Sequence, residues 1–329
     1  MKEDDSLSFQ TYHSGIVNKT EFSYNGMKLA TCGNDGKINI FSTEKIFSEG
    51  NNLNPEVELI KNGHNQPIYD LSFSHPCYGT YLASCGNDKK LIIWKEKSTN
   101  NYENIYEYKH NSSVKCCKFA PYQYGLIILC GAKDGSVSIH ELQKSSQKWS
   151  NYVLNNVHLN GVNSLDWAPA SPPINLEEED FENDDENNNN DLNNENIIES
   201  LNHMRFISCG NDCKINIFKS EKNTIDSFIK EKSIDLEGII PRDIAFLNFV
   251  GYTELTFACG LDDGKCLIYK KIDGEWKKTF VISIGSSIIK ICWSVCGTYL
   301  GISSKKNNNE NNPVKFFREN MDETWIEVR

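Results

Sequence analysis

Residues able to relay a proton or hold a buried polar network recur along this chain at fixed offsets. In the fullest copy Gly63-His64 precedes Ser84, Asp88 and Trp94. Carboxylate, imidazole and hydroxyl are the parts of a nucleophilic relay. They are equally the parts of a closed hydrogen-bond chain in which carboxylate, imidazole, hydroxyl and indole satisfy one another and tie a loop to a strand. The other copies decide between the two. Asp35, Asp134, Asp212 and Asp263 repeat Asp88, and His110, His158, Thr31 and Ser208 repeat other members, while Phe41, His140, Phe218 and Tyr269 stand where Trp94 stands. Catalysis does not need its parts in five partial copies, so His64, Ser84, Asp88 and Trp94 are assigned to a structural clamp.

Twelve cysteines raise disulfide or metal chemistry. No basic flank followed by an apolar run opens the chain, which leads to the expectation of a reducing compartment and free, buried thiols. Cys209 with Cys213 and Cys292 with Cys296 have a gap zinc tolerates, but neither pair has a neighbouring His or second Cys pair at ligand spacing. Adjacent Cys116 and Cys117 point to opposite faces if they lie on a strand. With no Gly-rich phosphate loop and no Ser-His-Asp arrangement beyond the repeated positions, no catalytic, cofactor-binding or metal-binding residue is assigned.

The elements that carry these residues are themselves repeated. LATCGNDGKINIF (29–41), LASCGNDKKLIIW (82–94) and FISCGNDCKINIF (206–218) are one motif, with weaker copies at 128–140 and 257–269 and a degenerate one at 299–317. The aligned aspartates are 53, 46, 78 and 51 residues apart. Each copy reads as strand, tight turn, strand, with another alternating segment upstream (17–23, 68–73, 114–119, 162–167, 243–249 and 288–293) and a fourth downstream (56–61, 102–109, 148–155, 228–236, 275–283 and 324–328). Four strands, six times, at about 45–50 residues per unit are blades of a β-propeller.

The long interval holds an acidic insert. Eleven acidic residues and no Lys or Arg fall between Ser171 and His203, and the rest of the chain has 34 of each sign, so the net charge of −11 belongs to that segment. The remaining surface has no overall field to hold nucleic acid. Ordering backbone costs about 1–2 kcal/mol per residue. The insert's seven large apolar side chains do not return that, which predicts a disordered loop over about 175–202 in blade four. The Asn307 to Asn312 run reads as a long hairpin loop in blade six. The longest apolar run, Leu126 to Cys130, is too short for a membrane span.

The stretches SHPCYGTYLASCGNDKKLIIWKE (74–96), FAPYQYGLIILCGAKDGSVSI (119–139) and NNVHLNGVNSLDWAPA (155–170) resemble the Sec-thirteen family, small WD-repeat subunits of the COPII outer coat that are shared with the nuclear pore scaffold. The similarity runs from about His13 to the end and is strongest over 63–170. It departs at the acidic insert, at the weak sixth repeat and at Ile244-Ala245-Phe246-Leu247, where the family has an aromatic-rich strand. The resemblance implies a noncatalytic scaffold without cofactors, acting in endoplasmic reticulum to Golgi transport. It implies cytoplasmic location, on coated vesicles and the cytoplasmic side of the endoplasmic reticulum membrane, and at the nuclear pore. The implied partners are the large coat protein Sec-thirty-one or a pore scaffold nucleoporin, with no direct nucleic acid and membrane association only through the coat. A pore-only propeller of the Seh-one type and a generic WD adaptor are the alternatives.

The expected fold is therefore all-β, a six-bladed open WD-repeat β-propeller over 13–329, completed by a partner-donated blade, with residues 1–12 as an N-terminal segment. The sequence independently supports an open ring, because the sixth repeat has its own last strand and Ser6 to Tyr12 is not needed as a clasp. An exposed edge needs covering. The residues assigned to a partner at the gap edge are Phe9, Ile16, Val17 and Phe22 on one side and Ile288, Ile289, Ile291 and Trp293 on the other.

Overall fold

Each repeat sets β-branched and aromatic residues on either side of a tight turn, and each folds into a four-stranded antiparallel sheet in a computed structural model. It describes residues 9–48, 58–60, 63–98, 101–170, 203–248, 255–305, 314–320, 322 and 324–328. The predicted insert at 175–202, the 307–312 loop and residues 1–8 lie outside the described residues.

Blade one comprises β1 (Val17–Phe22), β2 (Lys28–Gly33), β3 (Ile38–Ser42) and β4 (Glu58–Ile60), with a six-residue helix, α1 (Thr43–Ser48), after β3. Blade two holds β5 (Ile68–Phe73), β6 (Tyr81–Gly86), β7 (Lys90–Ser98) and β8 (Asn101–Lys109). Blade three holds β9 (Val114–Phe119), β10 (Ile127–Ala132), β11 (Val137–Leu142) and β12 (Trp149–Leu154). Blade four holds β13 (Val162–Trp167), β14 (Arg205–Gly210), β15 (Lys214–Ser220) and β16 (Phe228–Asp235). Blade five holds β17 (Pro241–Phe246), β18 (Thr256–Leu261), β19 (Lys265–Ile272) and β20 (Glu275–Ser283), and blade six β21 (Ile288–Trp293), β22 (Tyr299–Ser304), β23 (Val314–Glu319) and β24 (Trp325–Val328). This is the all-β, six-bladed WD40 propeller architecture the repeats predict. The largest boundary difference is β17, which begins at Pro241 rather than Asp243 and ends at Phe246 rather than Phe249.

The described sheets fall into two compact units, Met1–Leu165 with Ser208–Ile215 and Asp235–Pro241, and Asp166–Ile207 with Asn216–Ile234 and Arg242–Arg329. In the first, Ala30, Cys32, Ile38 and Ile40 of blade one interleave with Ile68, Leu71, Leu82 and Ile92 of blade two. The opposite face of blade two, with Ala83, Cys85, Leu91 and Ile93, packs on Val114, Cys117, Phe119 and Ile128 of blade three. In the second unit Ala258, Cys266 and Ile268 of blade five pack on Ile288, Ile291, Leu300, Ile302 and Phe317 of blade six. Every residue of β6, β10, β14 and β18 is buried, on both faces, which is why these strands show no alternation of apolar and polar residues.

The residue after the repeated aspartate takes a left-handed φ in five blades: Gly36 (71°), Lys89 (68°), Gly135 (85°), Cys213 (60°) and Gly264 (85°). The turn demands that conformation whatever the residue, and in blades two and four a non-glycine adopts it at a cost.

Candidate functional site

In blade two the four assigned residues form one directed chain of hydrogen bonds. Ser84 and Trp94 share a face of the sheet, since Ser84 pairs with Ile92 and Leu82 with Trp94. The Trp94 indole donates to Ser84 Oγ (2.9 Å), Ser84 lies 2.8 Å from His64 Nε2, and His64 Nδ1 lies 2.9 and 3.0 Å from the two Asp88 oxygens. With Nδ1–H donating to the carboxylate, Nε2 is left to accept from the serine. Ser84 is fully buried. A Cβ on Gly63 would stand 2.3 Å from the Trp94 ring, so the Gly before the histidine and the Trp on the strand require one another. Desolvation alone would raise the Asp88 pKa. The hydrogen bond from His64, with the N–H and the charge of Lys90, outweighs it and holds the carboxyl below its ordinary value.

Two further blades carry the same chain with an aromatic in place of the indole. In blade four His158 bonds Asp212 (2.8 Å) and Ser208 (2.9 Å), and Phe218 occupies the Trp position. In blade one His13 bonds Asp35 (2.9 Å) and Thr31 (2.9 Å), with Phe41 in that position. The sequence reading left His13 outside the clamp; its offset from Asp35, close to that of His64 from Asp88, is the signal that identifies it.

Blade three departs. His110 makes no hydrogen bond to Asp134 among the described residues; Asp134 instead accepts from the Ser136 N–H and hydroxyl. Cys130 occupies the serine position and His140 the tryptophan position. Their ligand atoms and that of His110 lie within 4.8 Å of one another. His140 Nδ1 meets the Tyr106 hydroxyl at 3.0 Å and Nε2 the Ser138 hydroxyl at 2.9 Å, whereas His110 Nε2 is buried without a partner. Burial pushes the pKa of His110 down to about 4 and of His140 down to about 3, so both rings are neutral at physiological pH, and it pushes the Cys130 thiol well up. Spacing along the chain conceals this group, because its members reach one point only through the repeat register.

A second device braces blade to blade. Asp70 Oδ2 accepts from the Cys117 N–H (3.0 Å), Asp166 Oδ2 from Phe246 N–H (2.8 Å) and Asp243 Oδ2 from Ile291 N–H (2.8 Å). Ser72 Oγ accepts from Phe119 N–H at 3.1 Å in the same manner. Each side chain on the first strand of a blade captures a backbone donor on the first strand of the next.

The residues assigned to the gap edge are divided. Ile16 (69% exposed), Phe22 (54%) and Ile289 (51%) are solvent-facing, and Val17 is half-buried. Ile288 and Ile291 are not available at an edge: they are buried in the core against blade five. Trp293 is half-buried, with its indole donating to Ala245 O (3.1 Å) and its ring edge-on to Trp325. Phe9 packs edge-to-face on Phe41 at 5.3 Å, and Asn39 Nδ2 donates to Thr11 O at 2.7 Å. Residues 9–12 therefore cover an apolar face of blade one, and the described part of the N-terminal segment is not left over.

The cysteines are thiols rather than disulfides, and eight are buried as expected. Cys77, Cys292 and Cys296 are exposed and Cys213 is intermediate, which corrects the expectation of uniform burial. Cys292 lies on the outward face of β21, and Cys296 in the turn after it, where the Ser294 and Thr298 hydroxyls lower its pKa to about 7.

Six four-stranded blades, five of them stamped with parts of one His–Asp–Ser–Trp clamp, define a WD40-repeat β-propeller protein. The family model "WD domain, G-beta repeat" matches residues 5–42 and 57–95. A chain in a crystal structure of the mitotic checkpoint complex superposes with a TM-score of 0.65 over 94% of this chain and 76% of that one, at 16% identity, a likeness of fold. The chain is 31% identical over 336 residues to the protein transport protein SEC13-2 of Candida glabrata, covering 98% of this chain and 99% of the relative. It is 28% identical over 321 residues to the SEC13 homolog of Drosophila melanogaster, covering 97% and 82%. The chain belongs to the SEC13 family.

Proposed function

We propose that this chain is a noncatalytic scaffold subunit of the COPII coat in endoplasmic reticulum to Golgi transport, acting on the cytoplasmic side of the membrane, and that the large coat protein Sec-thirty-one completes its propeller by donating a blade. The carrying observation is the outward face of blade six. Its sheet is apolar on both sides, in the manner of an interior blade. One side holds Leu300, Ile302 and Phe317 in the core. On the other, Phe316 pairs with Gly301 and Val328, and Arg318 with Tyr299 and Ile326, and Phe316, Tyr299, Ile326 and Val328 are all exposed. Strands laid over that row would bury it.

The relatives' names as transport proteins support the pathway. The clamps and the blade-to-blade carboxylates support a rigid strut rather than a catalyst, because they spend three of the chain's seven histidines, with Asp70, Asp166 and Asp243, on holding strands. A pore scaffold nucleoporin is the competing occupant of the same face. The test is co-expression with the candidate blade-forming segment of the coat protein, reading monodispersity and amide exchange. Protection gained in β21 to β24 is expected. Exchange there unchanged, with the partner demonstrably bound elsewhere, would overturn blade donation, and native co-purification of pore subunits in place of coat subunits would overturn the coat assignment.

A further inference from the structure

We propose that the modified clamp of blade three is a metal site, in which His110, Cys130 and His140 together bind a zinc(II) ion. The argument starts from blade two, where three side chains converge on one atom, Ser84 Oγ, with His64 Nε2 and Trp94 Nε1 both within 2.9 Å of it. The repeat register puts His110, Cys130 and His140 at those three positions. The convergence is kept, but the chemistry is not: a hydroxyl that donates and accepts becomes a thiol, and an indole that only donates becomes an imidazole with a lone pair. Two imidazoles and a soft sulfur are ligands that zinc prefers.

The geometry is close to what the ion needs. Tetrahedral zinc with Zn–N of about 2.0–2.1 Å and Zn–S of about 2.3 Å sets its ligand atoms about 3.3–3.8 Å apart. The three atoms here lie within 4.8 Å of one another, so closure needs shifts of about 1 Å, the size of a small side-chain rotation. His110 supplies the independent sign of a missing partner. Its ring is more than nine-tenths buried, and Nε2 has no hydrogen-bond partner, a condition that native structures avoid. His140 would exchange one of its two hydroxyl partners, Tyr106 or Ser138, for the ion. On binding, the Cys130 thiol loses its proton to solvent as the Zn–S bond forms.

The identity of residue 109 fits the same reading. Trp94 needs the space over Gly63. Before His110 stands Lys109, and by the repeat register an indole at position 140 would meet its Cβ where Trp94 has the space over Gly63. Blades one and four, which also lack the glycine, solve this with phenylalanine, at Phe41 and Phe218. Blade three has a histidine instead, which brings a second imidazole to the sulfur.

The site is enclosed, with Cys130 and His140 fully buried, so the ion must enter as the chain folds. The test therefore expresses the full chain in medium supplemented with zinc(II) or cobalt(II) and measures metal per chain after desalting. One equivalent is expected, and the cobalt protein should display the near-ultraviolet charge-transfer band of a thiolate–cobalt bond. The variants come from the chain's own other blades: C130S restores the hydroxyl of blades two and four, and H140F the aromatic of blades one and four, so both keep the blade folded. Each should lose the band and at least tenfold in metal retention, while C209S, at a buried cysteine of blade four, retains both. A wild-type chain purified without metal from either medium would overturn the proposal, as would metal that persists undiminished in the C130S and H140F proteins. Circular dichroism and monodispersity of each variant separate loss of the site from loss of the fold.

Discussion

Removing one oxygen tests the clamp most sharply. Ser84→Ala deletes the atom on which the Trp94 indole and His64 Nε2 both depend, in a place water does not reach. Each buried group left unpaired costs about 1–3 kcal/mol. The two share one partner and relax together, so the expected loss is about 2–4 kcal/mol rather than the full sum. At about 2–4 °C per kcal/mol for a chain of this size class, the melting temperature should fall by about 4–16 °C. Ser84→Thr is the control, because Thr31 already fills this role in blade one, bonded to His13 at 2.9 Å. It should lose less than about 1 kcal/mol. Urea titration followed by circular dichroism gives the midpoints, and amide exchange in β6 and β7 localises the loss. The reasoning fails if the alanine protein unfolds at the wild-type midpoint, or if threonine is as damaging as alanine. It also fails if binding of the blade donor disappears at a temperature where the alanine protein is still folded, since the clamp would then be a contact surface.

Other expectations follow from the same geometry. Gly63→Ala should destabilise by more than a surface substitution, about 2 kcal/mol or more, because the added methyl meets the Trp94 ring, and G63A combined with W94F should recover most of the loss by the same denaturation assay. Because the Asp88 carboxyl is held below its ordinary value in the fold, its contribution is complete above the unfolded carboxylate pKa of about 3.9 and is lost as pH falls through the lower folded value. Asp88→Asn should accordingly flatten the dependence of the urea midpoint on pH below about pH 4. Lys89→Gly should stabilise by about 0.5–1 kcal/mol, since Lys89 holds a left-handed φ that glycine occupies freely at the same turn of three other blades. Phe316→Glu should leave the melting temperature of the free chain within a few degrees and abolish capture of the blade-forming segment, a split that binding and thermal scans read separately.

The repeats made the architecture legible, because a motif that recurs at a fixed offset from an aspartate carries its own register. Even the fourth strands, which have little motif, were found as the alternating segment after each turn, and β20 coincides with the segment read at 275–283. Three features were less visible. The burial of Ile288 and Ile291 could not be separated from the exposure of Ile289, because an apolar run on a first strand looks the same whether its face meets a neighbouring blade or solvent. The packing of Phe9 on Phe41 depends on a contact between an irregular segment and a sheet, which has no periodicity to betray it. The convergence of His110, Cys130 and His140 was hidden for a different reason: His140 was read only as the residue standing where Trp94 stands, and Cys130 only as one of the buried thiols, so what they add together left no trace.

The clamps are unevenly distributed, and that inequality has a consequence for the life of the subunit. No histidine follows His203 in the chain, so blades five and six have no imidazole to pin turn to strand, and in blade five Asp263 meets the N–H (3.1 Å) and the ammonium (3.0 Å) of Lys265 in its own turn. Local opening is governed by how many such restraints a segment must break. The C-terminal blades are thus the first to breathe, and blade six is also the one whose outer row of side chains is oily and bare. On the proposed blade donation, an unassembled copy would present this region to proteases, and an assembled one would have it covered. If the proposed partner closes that blade, surplus copies would stay open there, and pulse-chase with and without the partner would read whether they are the ones cleared.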